Sequence, residues 1–419
     1  MSAAPDDHQS SERAQGSAGA EYLPALDALR ALAAAWVVVY HCWIRTGAGS
    51  LDGLGPLAPL VRSGSLGVDV FFVLSGAVLT LGLLRRAPSD RRLWPFVIRR
   101  GARLFPAVWV VLVAAVATAN LHMADLGLVR RAITPESVVA NATLLGGVGR
   151  LLPGYDGAIG FAVNPVIWSL TPEVLFSLVL VAILPVVVRW PTIVLGGLVA
   201  GGVVLRALDA SAQVVSVAGP LLTAFPVGIA VALLARRPQS ARTTFALVGG
   251  GVLTLALVVA AQTETGPKQI KDALTLSAWL PVAVAVGAGA VCLGLTSERG
   301  RRWTTAPLTA AGRWSYGIYL WHFPIIGLIV WTGGLPADGS TRSVVVAFLI
   351  ATPLAIGAGA ASFRFVESPA RRLTIDRLAA SRSRPEPLGT DRAGVMPVGQ
   401  QRVAHALDEA RRTADEDQR

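Results

Sequence analysis

The sequence predicts an all-α, polytopic integral membrane protein of about ten transmembrane helices with both termini cytoplasmic. Three observations lead there. Of 419 residues, 53% are hydrophobic and 15% charged, against roughly 25% charged in a soluble domain. Apolar windows of bilayer-crossing length recur along most of the chain. Arginines cluster between particular windows, as they do in cytoplasmic loops. Two cysteines support neither a disulfide framework nor a Cys-x-x-Cys metal pair, so no metal site is expected. The formal charge of +11 does not sit in a basic tail. The stretch after Val366 carries ten Arg and nine acids, which argues against a nucleic-acid partner.

The apolar windows, in order, are Leu23–Trp43, Leu66–Leu84, Leu104–Leu121, Pro165–Val188, Thr192–Leu208, Val214–Ala235, Thr243–Ala261, Ala273–Leu295, Gly312–Trp331 and Ser343–Phe365. Their connections set the orientation. The loops after spans two, six and eight hold seven, three and three Arg, whereas those after one, five, seven and nine hold two Arg, none, two Lys and one Arg. Short Arg-rich loops stay inside. The long connection His122–Asn164 is the exception, with Arg130, Arg131 and Arg150 outside. Its middle, Ser137–Val148, is apolar enough to form a short helix in or on the membrane. Residues 22–375 are thus read as a transmembrane domain. Residues 1–21 and 376–419 read as disordered tails, the latter cytoplasmic. The Gly197–Gly201 spacing reads as close helix packing.

A charge inside a membrane helix costs about 2.5–3.5 kcal/mol on insertion scales, so each one is a candidate. Arg30 and His41 lie eleven residues apart on the first span. Eleven residues turn about 1,100°, which puts both on one stripe, roughly 16 Å apart in depth. Both are expected to face one cavity; a packing His with a snorkelling Arg is the plainer alternative. Asp69 opens the second span near the expected depth of His41 and would orient its imidazole, or else simply cap a helix start. Glu173 follows Pro172, which is expected to break the fourth span and free backbone groups. His322 lies mid-membrane in the ninth span. Asp27, Arg206, Arg313 and Arg364 lie near span ends, where charge is cheap. His122 reads as a solvated loop residue. Arg99, Arg100 and Arg103 sit at the start of the third span, where an Arg fork and a helix N-terminus would suit a phosphate; ordinary positive-inside topology accounts for them equally.

Together these pieces resemble one family, the membrane-bound acyltransferase-3 proteins, which acylate sugars. The resemblance covers about Tyr22 to Arg372. It rests on Leu26-Asp27-Ala28-Leu29-Arg30 with His41 beyond, and on Gly67-Val68-Asp69-Val70-Phe71-Phe72-Val73-Leu74-Ser75-Gly76. It continues through Arg100-x-x-Arg103 with Pro106, Trp168-Ser169-Leu170-Thr171-Pro172-Glu173 and Tyr316-Gly317-Ile318-Tyr319-Leu320-Trp321-His322-Phe323-Pro324. It ends on Glu367-Ser368-Pro369 with Arg371-Arg372. Six such motifs in order are specific where any one is weak.

The resemblance implies a ten-span O-acyltransferase. Acyl-CoA, with acetyl the expected acyl group, is its cytosolic co-substrate, and a hydroxyl of an extracytoplasmic carbohydrate or glycoside is its acceptor. It carries essential roles to His41, Arg30, Arg100, Arg103 and Asp69. The expected chemistry has His41 as the catalytic base or nucleophile with Asp69, Glu173 and His322 around it, and Arg30, Arg99, Arg100 and Arg103 on the donor. Partners are the acceptor, acyl-CoA and membrane lipids. The rival is a transporter using the same buried charges as an ion path.

Overall fold

A computed structural model of the chain describes residues 23–86, 91–117, 134–144, 146, 163–208, 212–261 and 279–383. His122, Arg130, Arg131, Arg150, the 1–21 tail and residues 384–419 lie outside the described residues. Among the described residues there is no strand. Among the described residues, ten apolar helices fall in the ten predicted windows: α1 Pro24–Arg45, α2 Gly67–Leu84, α3 Leu93–Ala117, α4 Leu170–Arg189, α5 Pro191–Ala207, α6 Val214–Leu234, α7 Ala241–Ala260, α8 Leu280–Thr296, α9 Ser315–Trp331 and α10 Thr341–Ser362. Seven of these segments are long and apolar enough to cross a membrane, and α5, α8 and α9 are shorter at 17 residues each. α6 is broken at Thr223. The protein is a multi-pass membrane protein.

Three hydrophobic clusters meet on α9. Tyr319 belongs to the cluster built largely from α1, α2, α4, α6 and α8, Ile318 to that of α1 and α10, and Leu320 to that of α3 and the start of α4. Three consecutive buried residues in three clusters place this part of α9 where the clusters meet. Phe176 of α4 stacks on Phe225 of α6 with ring centroids 4.0 Å apart. Gly76 of α2 lets the α6 backbone approach: a Cβ there would stand 2.7 Å from the Phe225 carbonyl. Gly197 and Gly201, expected to mediate packing, face open space instead.

Prolines placed inside helices are compensated locally. Pro324 of α9 has no N–H, so the Leu320 carbonyl loses its helical donor. Asn164 supplies it, its Nδ2 donating to Leu320 O at 3.1 Å. The same Asn164 precedes the 3₁₀ turn Pro165–Ser169 that leads into α4. Pro172, expected to break its span, instead occupies the first turn of α4, where an N–H has no helical acceptor. Pro135–Ala142 forms the expected short helix, opened by a reciprocal Thr134–Ser137 cap. It is tied to α3 by Trp109 Nε1 donating to Ala142 O at 3.0 Å.

The last helix, Ser368–Ser383, follows a π-turn at Phe363–Glu367 and runs past residue 376, where the sequence reading placed a disordered tail. Arg and Ala favour helix strongly enough to carry it on. A second compact unit begins at Ile375.

Candidate active site

His41 lies one turn before the end of α1 and is partly exposed; His322 lies mid-α9 and is fully buried. The two rings meet. His322 Nε2 is 3.0 Å from His41 Nδ1, His41 Nδ1 is 3.1 Å from Val37 O, and His322 Nδ1 is 2.6 Å from Tyr319 O. These contacts settle the tautomers of the neutral pair. A carbonyl only accepts, so His322 Nδ1 carries the proton and donates to Tyr319 O. Its Nε2 is then an acceptor, and His41 Nδ1–H donates to it and to Val37 O. The lone pair of His41 therefore lies on Nε2, the nitrogen left without a partner among the described residues.

Asp69 takes no part in this relay. It sits in the first turn of α2, where an acid suits the helix dipole, and it makes no hydrogen bond to His41. Its electrostatic partner is Arg206 of α5. Arg206 does not snorkel, as its place near a span end suggested; it is buried and donates to Gly202 O at 3.2 Å. The orienting part expected of Asp69 falls geometrically to His322.

On the side toward the α2–α3 connection, a cavity partly open to solvent runs between α1, α2, α3, α4 and α9. Its lining on α2 extends from Val68 to Leu79, about 16 Å at 1.5 Å per residue. Arg30 and Arg103 line it at one end. Tyr319 and Ser169, hydrogen-bonded at 2.8 Å, line it at the other. His41 and His322 do not line it: His322 packs on Tyr319 beyond that end, with ring centroids 5.6 Å apart. The expectation that Arg30 and His41 face one cavity is thus corrected. They share a helix stripe but stand on opposite sides of the Tyr319 constriction.

The basic residues divide into distinct roles. Arg100 is buried and committed: it is ion-paired to Glu173 and donates to Ser177 Oγ at 3.2 Å, while Ser75 Oγ also donates to Glu173 at 2.8 Å. Glu173 is therefore the counter-ion of Arg100, and no hydrogen bond joins it to the His pair. Arg30 is ion-paired at 2.6 Å to Asp27, which is buried rather than solvated at a span end. Arg103 lines the cavity with no acid in hydrogen-bond range among the described residues, in the field of Glu367. Arg99 does not line it. Because α3 begins at Leu93, Arg99, Arg100 and Arg103 lie more than a turn inside the helix, so its N-terminal N–H groups do not join them as an anion site.

The acyltransferase domain of the acyltransferase-3 family matches residues 23–362, and the chain belongs to that family. Among its relatives, the peptidoglycan O-acetyltransferase OatA of Listeria monocytogenes is 29% identical over 84% of this chain and 56% of its own. An O-acetyltransferase OatA of Staphylococcus aureus is 26% identical over 84% of this chain and 57% of its own. A putative O-acetyltransferase of Staphylococcus aureus strain COL is 25% identical over 85% and 58%. The chain spans just over half the length of these relatives. No solved structure matches it.

Proposed function

We propose that the protein is a membrane O-acetyltransferase that moves an acetyl group from cytosolic acetyl-CoA to a hydroxyl of a cell-envelope carbohydrate on the outer side. The observation that carries this reading is the His41–His322 relay standing across a constriction from an arginine-lined cavity. Family membership and the names of the relatives favour it over a transporter. The donor enters from the side of the Arg85–Arg103 loop, which the positive-inside rule makes cytoplasmic. Arg103, with no hydrogen-bonded acid, meets a CoA phosphate as a charge-assisted partner. Arg30 extends the positive lining. Arg100 holds the wall through Glu173. The pantetheine arm runs along the cavity toward Tyr319.

His41 Nε2 takes the proton of the acceptor hydroxyl as its oxygen attacks the thioester carbonyl. The C–O bond forms, the C–S bond breaks, and the CoA thiolate leaves with that proton, which returns His41 to the neutral form. While His41 is cationic, its Nδ1–H donates to the neutral His322 Nε2, so the relay holds both states without a ring flip. The test is acetyl transfer from labelled acetyl-CoA to peptidoglycan fragments by purified protein in lipid nanodiscs. Transfer supports the reading. Intact acyl-CoA binding with neither transfer nor slow thioester hydrolysis would overturn it.

A further inference from the structure

Arg45, the last residue of α1, lies one helical turn beyond His41, so the two side chains share a face. It is 7% exposed, yet it has no carboxylate partner and makes no hydrogen bond among the described residues. Its Nε is buried without a partner. None of the nearby acceptors among the described residues takes a hydrogen bond from it. The α1 carbonyls at this end accept other donors: Cys42 O takes Thr46 N at 3.0 Å, and Trp43 O takes Ala48 N at 2.9 Å. Asp338, on the same side, accepts from Ser340 N at 2.9 Å and Ser343 Oγ at 2.8 Å. Asp69 faces Arg206.

The guanidinium is nevertheless held in place. Its carbon stands 4.7 Å from the centroid of Phe323. The ring of His41 meets the same Phe323 edge-on at 5.3 Å. Beyond Phe323, Gly327 of α9 leaves a notch that the guanidinium end fills; a Cβ there would overlap it. Phe323 and Gly327 thus seat a desolvated cation beside the catalytic His pair. A buried cation without a counter-ion is costly, and a guanidinium fork fixed in place suits a carboxylate.

We propose that Arg45 binds a carboxylate of the acceptor, so that the enzyme selects acidic glycans and holds their hydroxyl at His41. This rests on the O-acetyltransferase reading above. Selection would act on ground-state binding and hence on KM.

The experiment compares acetyl transfer from acetyl-CoA to peptidoglycan muropeptides carrying free carboxylates and to the same muropeptides after methyl esterification. The native protein should show a KM at least roughly tenfold lower for the acid form, from the worth of a charge-assisted pair. Arg45→Gln should raise that KM toward the ester value. Gly327→Ala, which keeps the charge but pushes the guanidinium out of its notch, should do the same in part, and it keeps the test open should Arg45→Gln fail to fold. Equal KM for acid and ester in the native protein overturns the proposal and leaves the acetyltransferase reading standing. A kcat loss in the variants that is equal for both acceptors also overturns it, because Arg45 would then act on the transition state. Transfer to neither form overturns the acetyltransferase reading itself, and this proposal with it.

Discussion

His322 Nε2 accepts a hydrogen bond from His41 Nδ1 across 3.0 Å, joining two helices whose histidines are 281 residues apart in sequence. With the Tyr319 carbonyl behind it, this contact leaves His41 Nε2 as the basic nitrogen. His41→Ala should therefore reduce acetyl transfer by at least the roughly 10²–10⁴-fold that general-base action supplies. His322→Ala should lower kcat while leaving the KM for acetyl-CoA within about twofold, because His322 acts through His41 and does not line the donor cavity. Glutamine at 322 can accept from His41 with its side-chain oxygen, so His322→Gln should retain more activity than His322→Ala. Steady-state kinetics on the three variants checks the order, and equal losses for Ala and Gln at 322 would remove the positioning role.

Arg100 and Arg103 should separate cleanly. Arg100→Ala strands Glu173 in the wall of the cavity. Removing one partner of a buried pair typically costs about 3–5 kcal/mol, so the thermal midpoint in detergent should fall. Arg100→Met with Glu173→Leu should recover much of that loss. Arg103→Ala should leave the midpoint within a degree or two and weaken acetyl-CoA binding, since a charge-assisted bond is worth about 1.5–3 kcal/mol. Calorimetric titration with acetyl-CoA beside thermal unfolding distinguishes the two arginines.

Asn164 and Pro324 should be coupled. Asn164→Ala leaves the buried Leu320 carbonyl without a donor, at a cost of about 1–3 kcal/mol. Pro324→Ala restores the helical N–H to that carbonyl. The double variant should be more stable than Asn164→Ala alone, and a double-mutant cycle on thermal unfolding measures the coupling. Additive losses would mean that a water fills the gap.

Topology can be read by cysteine labelling, with a low background because Cys42 and Cys292 are both buried. Ser89→Cys, in the Arg85–Arg103 loop, should resist an impermeant maleimide in intact cells and react after lysis. Gly333→Cys, between α9 and α10, should react in intact cells. The reverse pattern would put the donor cavity on the wrong face.

The helices were legible in the sequence because every span is a long apolar run, and apolar length is the dominant signal in a bilayer. The start of α3 was missed because the segment Leu93–Arg103 is amphipathic, with Trp94 exposed and Arg100 buried, and it fell below the hydropathy that marks a span. Of the site, the residues carried by motif were found, but not their pairing. Stripe arithmetic on one helix places Arg30 and His41 correctly relative to each other, yet it says nothing of which neighbouring helix faces them. Hence the sequence matches Asp69 with His41 when its electrostatic partner is Arg206, and it gives no sign that Glu173 pairs with Arg100. Arg45 carried no sequence signal beyond its place four residues after His41. A buried arginine and a snorkelling one at a helix end are spelled alike.

The hydrogen-bonded knot at the inner end of the cavity bears on the energetics of the host cell. Tyr319 OH donates to Val166 O at 2.9 Å, and Ser169 Oγ lies 2.8 Å from the same hydroxyl. The polar groups there are satisfied by one another and need no chain of water molecules. A continuous wet path from the basic cavity to His41 would short-circuit a membrane potential, which stores about 2.3 kcal/mol per charge per 100 mV. In the transfer proposed above, the knot would serve as an insulating septum, keeping protons from leaking while an acyl group is handed across the site.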